Sequence, residues 1–419
     1  MANTGDLVKI EGKEGILMPT TDPKITIIKL ESGYNIAYKN AKVELVKEKE
    51  EITKTQNQKI ESNPKLKNIS ILHCGGTVAS KIDYKTGAVS ALFEPSEFLN
   101  LFPELKDIAN VKSELIAQML SENMRFGHYN IMAKAIEEQI KKGVDGIILT
   151  QGTDTLHYTS AALSFMIENS PIPILILGSQ RSSDRGSSDA AMNIVSAISF
   201  ATQTDFKGVG VCMHADTNDE DCLIMQGTKV KKMHTSRRDA FRPINTKAIA
   251  RINYKTKEIT YLNEYNKEKN NLNITFFKEN LKIGILKSRP NLFAEELEVY
   301  NNFDGLIIEG TGLGHISIRK VDDLTSENEI IKNKLEELTK KIPVVMTSQC
   351  TYGRIDMNVY SEGRTNIEMG ILGNELDMTT ETAFIKLAWL LSNDLDVKTN
   401  LNKNLRGEIS ERIENVFLN

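Results

Sequence analysis

The sequence lacks several features that would place it in a specialised class of protein. Its 419 residues include only four cysteines, none in a C-x-x-C pair, so neither a zinc ribbon nor a disulfide framework is predicted. The net charge is −4, which argues against the whole chain being a nucleic-acid or membrane-surface binder. No apolar run reaches about 18 residues, and the polar start has no apolar h-region. We therefore expect a cytoplasmic protein with reduced cysteines, no membrane span and no signal peptide.

Several familiar catalytic and nucleotide-binding signatures are absent as well. No Walker A pattern or kinase-type Gly-rich loop occurs, so we predict no ATP site on this chain. The six histidines show no Ser-His-Asp ordering. A turn at 310-GTGLGH-315 has the glycines of a dinucleotide fingerprint, but the spacing is wrong and no suitable acidic residue follows it.

The pattern of apolar residues divides the chain into four parts. Residues 1–46 contain short runs typical of strands between Gly, Pro and Asp turn signals, which predicts a small β-barrel module. Residues 47–67 are charged and poor in large apolar groups, as in a linker. Short apolar runs then alternate with helical patterns over 68–265 and again over 275–419. This alternation predicts two α/β domains with parallel sheets covered by helices.

Two of the predicted strands end in unusual polar sequences. The first end is 73-HCGGTVAS-80, where Gly75 and Gly76 permit a tight turn before Thr77. The second is 150-TQGTDT-155, which leads into a helical pattern. Taken alone, Thr77 is a turn residue, and Thr153 or Asp154 is an N-cap. The functional alternative is a hydroxyl nucleophile at the carboxyl end of a parallel sheet, where ligands bind.

A hydroxyl nucleophile needs a base, and the candidate lies in the basic run 227-GTKVKKMHTSRRDAF-241. A lysine near other cations can lose its proton more easily and act as a base. Pattern alone favours a solvated basic face or a phosphate patch for this run.

The residues that carry these features resemble the bacterial-type L-asparaginase family. The resemblance rests on Gly75-Gly76-Thr77, on Thr150–Thr155 and on Lys232 within 232-KMHT-235, and it extends from Asn68 to the C-terminus. Within this family, 231-KKMHTSRRDAFRPIN-245 and the extra N-terminal β module are more similar to the D-type subunits of the archaeal glutamyl-tRNA(Gln) amidotransferases. An asparaginase-like core of two α/β domains, preceded by a small β-barrel-like domain, is the fold that this resemblance implies.

The resemblance also implies roles for particular residues. Thr77 and Thr153 are the two active-site hydroxyls, with Thr77 the first candidate for the nucleophile and Thr153 not excluded. Lys232 accepts or relays a proton, and Asp154 orients Lys232 or holds the substrate ammonium group.

Three further residues match the family's substrate-binding segments. Ser121 binds the substrate carboxylate and Glu122 its ammonium group, although 118-QMLSENM-124 is otherwise an ordinary polar loop. Tyr84 lies where the family has a mobile lid. The sequence departs from the plain asparaginases at His315, where they carry an asparagine that lines a neighbouring subunit's site.

The function implied is that of a glutaminase subunit. It hydrolyses glutamine and supplies ammonia to an E-type partner subunit, which uses ATP and Mg²⁺ to activate Glu-tRNA(Gln) and makes most of the tRNA contacts. The family pairs two such subunits with two partners, and no cofactor is expected on this chain. The alternatives are a free-standing cytosolic L-asparaginase and a non-catalytic scaffold on the same fold. Since hydrolysis alone needs no β module or linker, we expect these segments to dock the partner.

Overall fold

The structure is a computed structural model. It describes residues 2–18, 20, 22–30, 35–48, 63–76, 78, 80–82, 89–91, 102–181, 188–268, 271–412 and 417. Two of the predicted site residues, Thr77 and Tyr84, lie outside the described residues, as does most of the predicted linker.

The N-terminal module is a five-stranded antiparallel sheet. Its strands are β1 Leu7–Ile10, β2 Lys13–Met18, β3 Ile25–Lys29, β4 Asn35–Lys39 and β5 Glu44–Lys47, in the order β4-β3-β2-β1-β5. Val8, Ile10 and Ile28 form its small core. The apolar runs predict β1, β3 and β4, but they do not predict β5, because each of its four residues is exposed.

The next part of the chain builds an eight-stranded sheet with helices on its faces. Its strands are β6 Asn68–His73, β9 Asn110–Leu115, β10 Gly146–Thr150, β12 Pro173–Leu177, β13 Gly208–His214, β14 Asp221–Gln226, β17 Ala250–Asn253 and β18 Ile259–Tyr261. Three two-stranded pairs accompany it: β7 Ser80–Ile82 with β8 Val89–Ala91, β11 Ile167–Glu168 with β19 Asn273–Ile274, and β15 Val230–Lys232 with β16 Phe241–Pro243. The helices are α1 Phe126–Lys141, α2 Leu156–Met166 and α3 Ala190–Gln203, with 3-10 turns at Pro103–Asp107 and Ser121–Asn123.

The central strands are buried on both faces. Every residue of β10 and β12 is buried, and so are all but the first residue of β6 and β13. Continuous runs of Ile, Leu and Val suit such strands, because helices cover both sides of a parallel sheet. Each large aliphatic side chain that is fully removed from water contributes about 1.5–3 kcal/mol.

The strand order places a topological switch point between β6 and β10. The order across the sheet is β18-β17-β14-β13-β12-β10-β6-β9, and β9, β6, β10, β12 and β13 run parallel. The chain leaves β6 for β9 on one side and then returns to β10 on the other. In open α/β sheets, the crevice at the carboxyl ends of such strands is where ligands bind.

The C-terminal part forms a smaller three-stranded parallel sheet. Its strands are β20 Ile283–Lys287, β21 Gly305–Gly310 and β22 Val344–Ser348. Its helices are α4 Glu327–Thr339, α5 Ser361–Glu368, α6 Thr380–Ser392 and α7 Val397–Asn400, and 3-10 helices span Ala294–Asn302 and Asp323–Thr325. The apolar runs and the amphipathic pattern of 326–341 predict the three strands and α4.

Helix α6 joins the two α/β parts. It packs against α2 on one side and against β21 on the other. Lys386 of this helix forms a fully buried ion pair with Glu408, which fastens the C-terminal segment across the junction. Within the described residues, no helix is both long and apolar enough to cross a membrane.

Candidate functional site

The two threonine motifs leave the sheet side by side. Residue Thr150 at the end of β10 is in register with His73 at the end of β6. His73 Nδ1 lies 2.8 Å from Thr150 Oγ1, and the Cys74 N–H donates to the Thr150 carbonyl at 2.8 Å. Both motifs therefore start from one hydrogen-bonded point at the switch between the strands.

Glycine is required at positions 75 and 76 because the backbone of neighbouring segments approaches both residues closely. Both have positive φ, +92° and +86°. A Cβ on Gly75 would lie 2.4 Å from the Met119 carbonyl oxygen, and one on Gly76 would lie 2.5 Å from the Gln151 carbonyl carbon. Only glycine fits such positions. The first motif is thus pressed against both the second motif and the segment that leads to Ser121.

Lys232 joins the two polar residues of the second motif. Its Nζ donates to Thr153 Oγ1 at 2.8 Å and to Asp154 Oδ1 at 2.7 Å. The lysine side chain is only 9% exposed, whereas that of Asp154 is 68% exposed. The cluster therefore presents a buried ammonium group and a hydroxyl beside a carboxylate that reaches solvent.

The N-cap interpretation of Thr153 and Asp154 is wrong. Helix α2 begins at Leu156, its N-cap is Thr155, and no side-chain hydrogen bond caps it. The Thr155 hydroxyl donates to the Ser121 carbonyl at 2.7 Å instead. The side chains of Thr153 and Asp154 are consequently engaged by Lys232 rather than by the helix start.

Ser121 lies beside the same motif, and Glu122 follows it in the chain. Ser121 is buried, and its Oγ is so close to Gly152 that a Cβ there would approach it to 2.9 Å. Glu122 is exposed. The structure thus brings Thr153, Asp154, Lys232 and Ser121 together, with Glu122 next in the chain.

The basic run around Lys232 is exposed over residues 233–237, but its cations are paired with carboxylates instead of forming a phosphate patch. Each of its described cations faces a carboxylate. The pairs are Lys229 with Asp377 at 2.7 Å, Lys231 with Glu381 at 2.8 Å, Lys232 with Asp154 at 2.7 Å, Arg237 with Asp239 at 2.8 Å, and Arg238 with Asp219. These carboxylates offset the charge locally, which leaves little positive field for an external polyanion.

Two residues that lie behind the lysine hairpin, Glu381 and His157, could not be linked to the site from the sequence. Glu381 in the first turn of α6 pairs with Lys231, and its Oε1 lies 3.9 Å from His157 Nε2. His157 is the second residue of α2, three positions after Asp154, and is buried. Because Glu381 lies 150 positions from Lys231 in the chain, no local pattern links them.

Cys74 and His315, which the sequence also singles out, make packing contacts in the structure. Cys74 is fully buried, and burial raises the pKa of its thiol well above the usual range, which suits a small apolar residue. The His315 ring lies 5.4 Å from the Tyr360 ring, on the turn after β21. Among the described residues, no group of three His, Cys, Asp or Glu side chains could hold a metal ion.

Comparison with known proteins defines the class first. Residues 68–266 match the family model "Asparaginase, N-terminal", and residues 282–400 match "Glutaminase/Asparaginase C-terminal domain". The thermostable L-asparaginase from Thermococcus kodakarensis is similar at a TM-score of 0.73 and 31% identity, over 82% of this chain and 100% of that one. L-asparaginase I from Vibrio cholerae shares the fold, with a TM-score of 0.69 over 82% of this chain and 99% of that one, at 24% identity. The protein thus has the two-domain asparaginase fold.

The N-terminal module makes the family assignment of the chain more specific. Residues 2–46 match the "GatD N-terminal domain". The D-type subunit of glutamyl-tRNA(Gln) amidotransferase from Methanococcus maripaludis is 42% identical, over 98% of each chain. The corresponding D-type subunit of Methanosarcina barkeri is 41% identical, over 98% of this chain and 97% of that one. The chain belongs to the family of glutamyl-tRNA(Gln) amidotransferase D-type subunits.

We predict that two buried histidines make stability fall in mild acid. Burial lowers the pKa of His73 to about 4, and burial likewise lowers that of His157 to about 4, with Glu381 opposing the shift. Because unfolding returns each ring to about 6.5, the unfolded chain binds more protons as the pH falls from 6.5 to 4. The free energy of unfolding should drop across this window by about 3 kcal/mol per histidine.

Urea unfolding at several pH values measures this effect. In the variants His73→Asn and His157→Gln, the decline between pH 6.5 and 4 should be smaller than in the wild type. His234→Gln, at an exposed position, should retain the wild-type decline. A decline that neither buried-site variant reduces would contradict the prediction.

Proposed function

We propose that this chain is the glutaminase subunit of a Glu-tRNA(Gln) amidotransferase. In this role it hydrolyses glutamine and passes the ammonia to a partner subunit, which converts ATP-activated Glu-tRNA(Gln) to Gln-tRNA(Gln). The observation that carries the proposal is the contact of Lys232 Nζ with Thr153 and Asp154 at the switch point between β6 and β10. ATP and Mg²⁺ belong to the partner in this scheme, and this chain needs no cofactor.

The proposed chemistry proceeds through an acyl-enzyme. The Thr77 hydroxyl attacks the side-chain amide carbon of glutamine, the C–N bond breaks, and the nitrogen leaves as ammonia after receiving a proton. Water then attacks the ester, which releases glutamate and restores the hydroxyl. Lys232 relays protons through Thr153, and Asp154 offsets the lysine charge. Thr77 is the first candidate for the nucleophile because of its motif, and Thr153 is the alternative.

Substrate binding is assigned to the neighbouring segments. Ser121 hydrogen-bonds the α-carboxylate of glutamine and Glu122 pairs with its ammonium group. The burial of Ser121 against Gly152 supports a place beside the reacting amide. Tyr84 is proposed to close over the amide and exclude water.

Ammonia release from glutamine and from asparagine tests the proposal. Glutamine hydrolysis should be weak for the pure chain and should rise when the partner subunit and Glu-tRNA(Gln) are added, with asparagine a poor substrate throughout. Fast asparagine turnover by the chain alone would instead favour a free-standing asparaginase. No turnover of either amide, even in the complete mixture, would favour a scaffold.

Lys232→Met should lower glutamine-dependent ammonia release by about a thousandfold, because general acid–base groups contribute about 10²–10⁴ in rate. As a control, Lys334→Met removes a lysine of α4 that pairs with Glu298 on the 3-10 helix Ala294–Asn302, and it should keep wild-type turnover. Steady-state kinetics in the complete mixture measures both variants. A Lys232→Met variant with full activity would end the assignment of that lysine.

We also propose that the chain is organised as a β module at 1–46, a linker at 47–67, a catalytic domain at 68–265 and a second domain at 275–419, and that the module docks the partner. Removing residues 1–46 should then weaken partner binding by about tenfold or more, measured by calorimetry, while circular dichroism shows the core still folded. Unchanged affinity for the partner would contradict the docking role.

A further inference from the structure

The hairpin formed by β15 and β16 makes polar contacts on both of its faces. Side chains alternate along a strand, so Lys232 points one way and Lys231 the other, with Lys229 on the same side as Lys231. Lys232 contacts Thr153 and Asp154. Lys229 and Lys231 contact carboxylates of the C-terminal part, Asp377 at 2.7 Å and Glu381 at 2.8 Å. The catalytic face of the hairpin is thus backed by a second, ion-paired face.

Asp377 and Glu381 differ in what else they touch. Asp377 and Lys229 are both 4% exposed, and Asp377 also accepts from the Ser410 N–H at 3.1 Å, on the C-terminal segment. Glu381 contacts Lys231 on the hairpin and approaches His157 on α2. One carboxylate oxygen therefore pairs with the hairpin that carries Lys232 and lies 3.9 Å from the helix that follows Thr153.

The surroundings of Glu381 keep it charged and in place. Its side chain is only 13% exposed, and the next residue, Thr382, donates its hydroxyl to the Thr228 carbonyl of the hairpin at 2.9 Å. Burial acts to raise the pKa of Glu381, but Lys231 and His157 outweigh it and hold the pKa below the usual value. A buried carboxylate of fixed charge thus stands directly behind the lysine hairpin.

We infer that Glu381 is a positioning residue that aligns Lys232 with Thr153 by pairing with Lys231 on the hairpin while it packs beside His157 on α2. The inference rests on the proposed catalytic role of Lys232 and extends it to the C-terminal domain. Glu381 acts on Lys232 through charge as well as geometry, because its partner Lys231 adjoins Lys232 in the chain. Without the carboxylate, Lys231 is an unpaired cation next to the catalytic group.

The effects of Glu381→Gln and Lys231→Met have opposite signs. Glu381→Gln removes a negative charge near the site. Protonation of the site then becomes harder, so the acid limb of the kcat/KM profile should move to lower pH. Loss of the lysine removes a cation, so the limb should move to higher pH. Glu381→Gln should also lower kcat about tenfold or more with KM within about twofold, as expected when reacting groups are misaligned.

Two further variants separate positioning from mere stability. Glu381→Asp keeps the charge but shortens the side chain, so it should lose part of kcat and keep the wild-type pH profile. Asp377→Asn breaks the other buried pair of the same hairpin face. It should lower Tm, because a buried charge is left unpaired, and keep the wild-type pH profile.

The measurements use the full chain with its partner subunit and Glu-tRNA(Gln), with glutamine and asparagine each as substrate. Variants are read on whichever amide the wild type hydrolyses faster, so failure of the glutaminase assignment is seen separately in the wild type. Opposite shifts of the acid limb in Glu381→Gln and Lys231→Met support the inference. A Glu381→Gln profile and kcat like those of the wild type or of Asp377→Asn would overturn it. If Glu381→Gln does not fold, an unshifted Lys231→Met profile overturns the inference by itself.

Discussion

The candidate site depends on the parallel pairing of β6 with β10. This pairing sets His73 opposite Thr150, so the two strands end together and their following residues turn into the same crevice. A slip of one residue would invert every side chain on a strand that helices cover on both faces. The register is therefore fixed by the core of the sheet, and the two threonine motifs of the candidate site owe their alignment to buried Ile and Leu side chains.

A second constraint acts on the other side of the crevice. The lysine is delivered by a short hairpin that lies outside the main sheet, anchored in the core by the buried side chains of Val230 and Phe241. Its placement also depends on ion pairs with residues near the start of α6, and those pairs lie at the junction of the two α/β parts. Breaking such buried pairs costs about 3–5 kcal/mol, whereas well-solvated pairs contribute much less. The ion pairs therefore act together with the apolar packing of Val230 and Phe241 to orient the hairpin.

The sequence was informative where chemistry and local pattern coincide. Continuous apolar runs identified the central strands, and the resemblance to asparaginases identified Thr153, Asp154 and Lys232, which the structure brings within hydrogen-bonding distance. Local rules failed at the start of α2, because tertiary contacts from Ser121 and Lys232 engage the threonines that would otherwise cap it. They also failed for β5, whose exposed residues carry no apolar alternation. Glu381 and His157 were out of reach, because their meeting depends on how two distant segments pack.

The ion pair between Lys229 and Asp377 joins residues 148 positions apart. Protein chains are made from the N-terminus, and domains generally fold as they emerge. The strands that carry both threonine motifs are thus synthesised well before the carboxylates that brace the lysine hairpin. A nascent or truncated chain can form the crevice between β6 and β10 while still lacking the carboxylates that pair with the hairpin of the proposed proton relay. The junction between the two halves therefore makes the proposed chemistry depend on synthesis of the C-terminal part, since the ion pairs behind the lysine hairpin form only then.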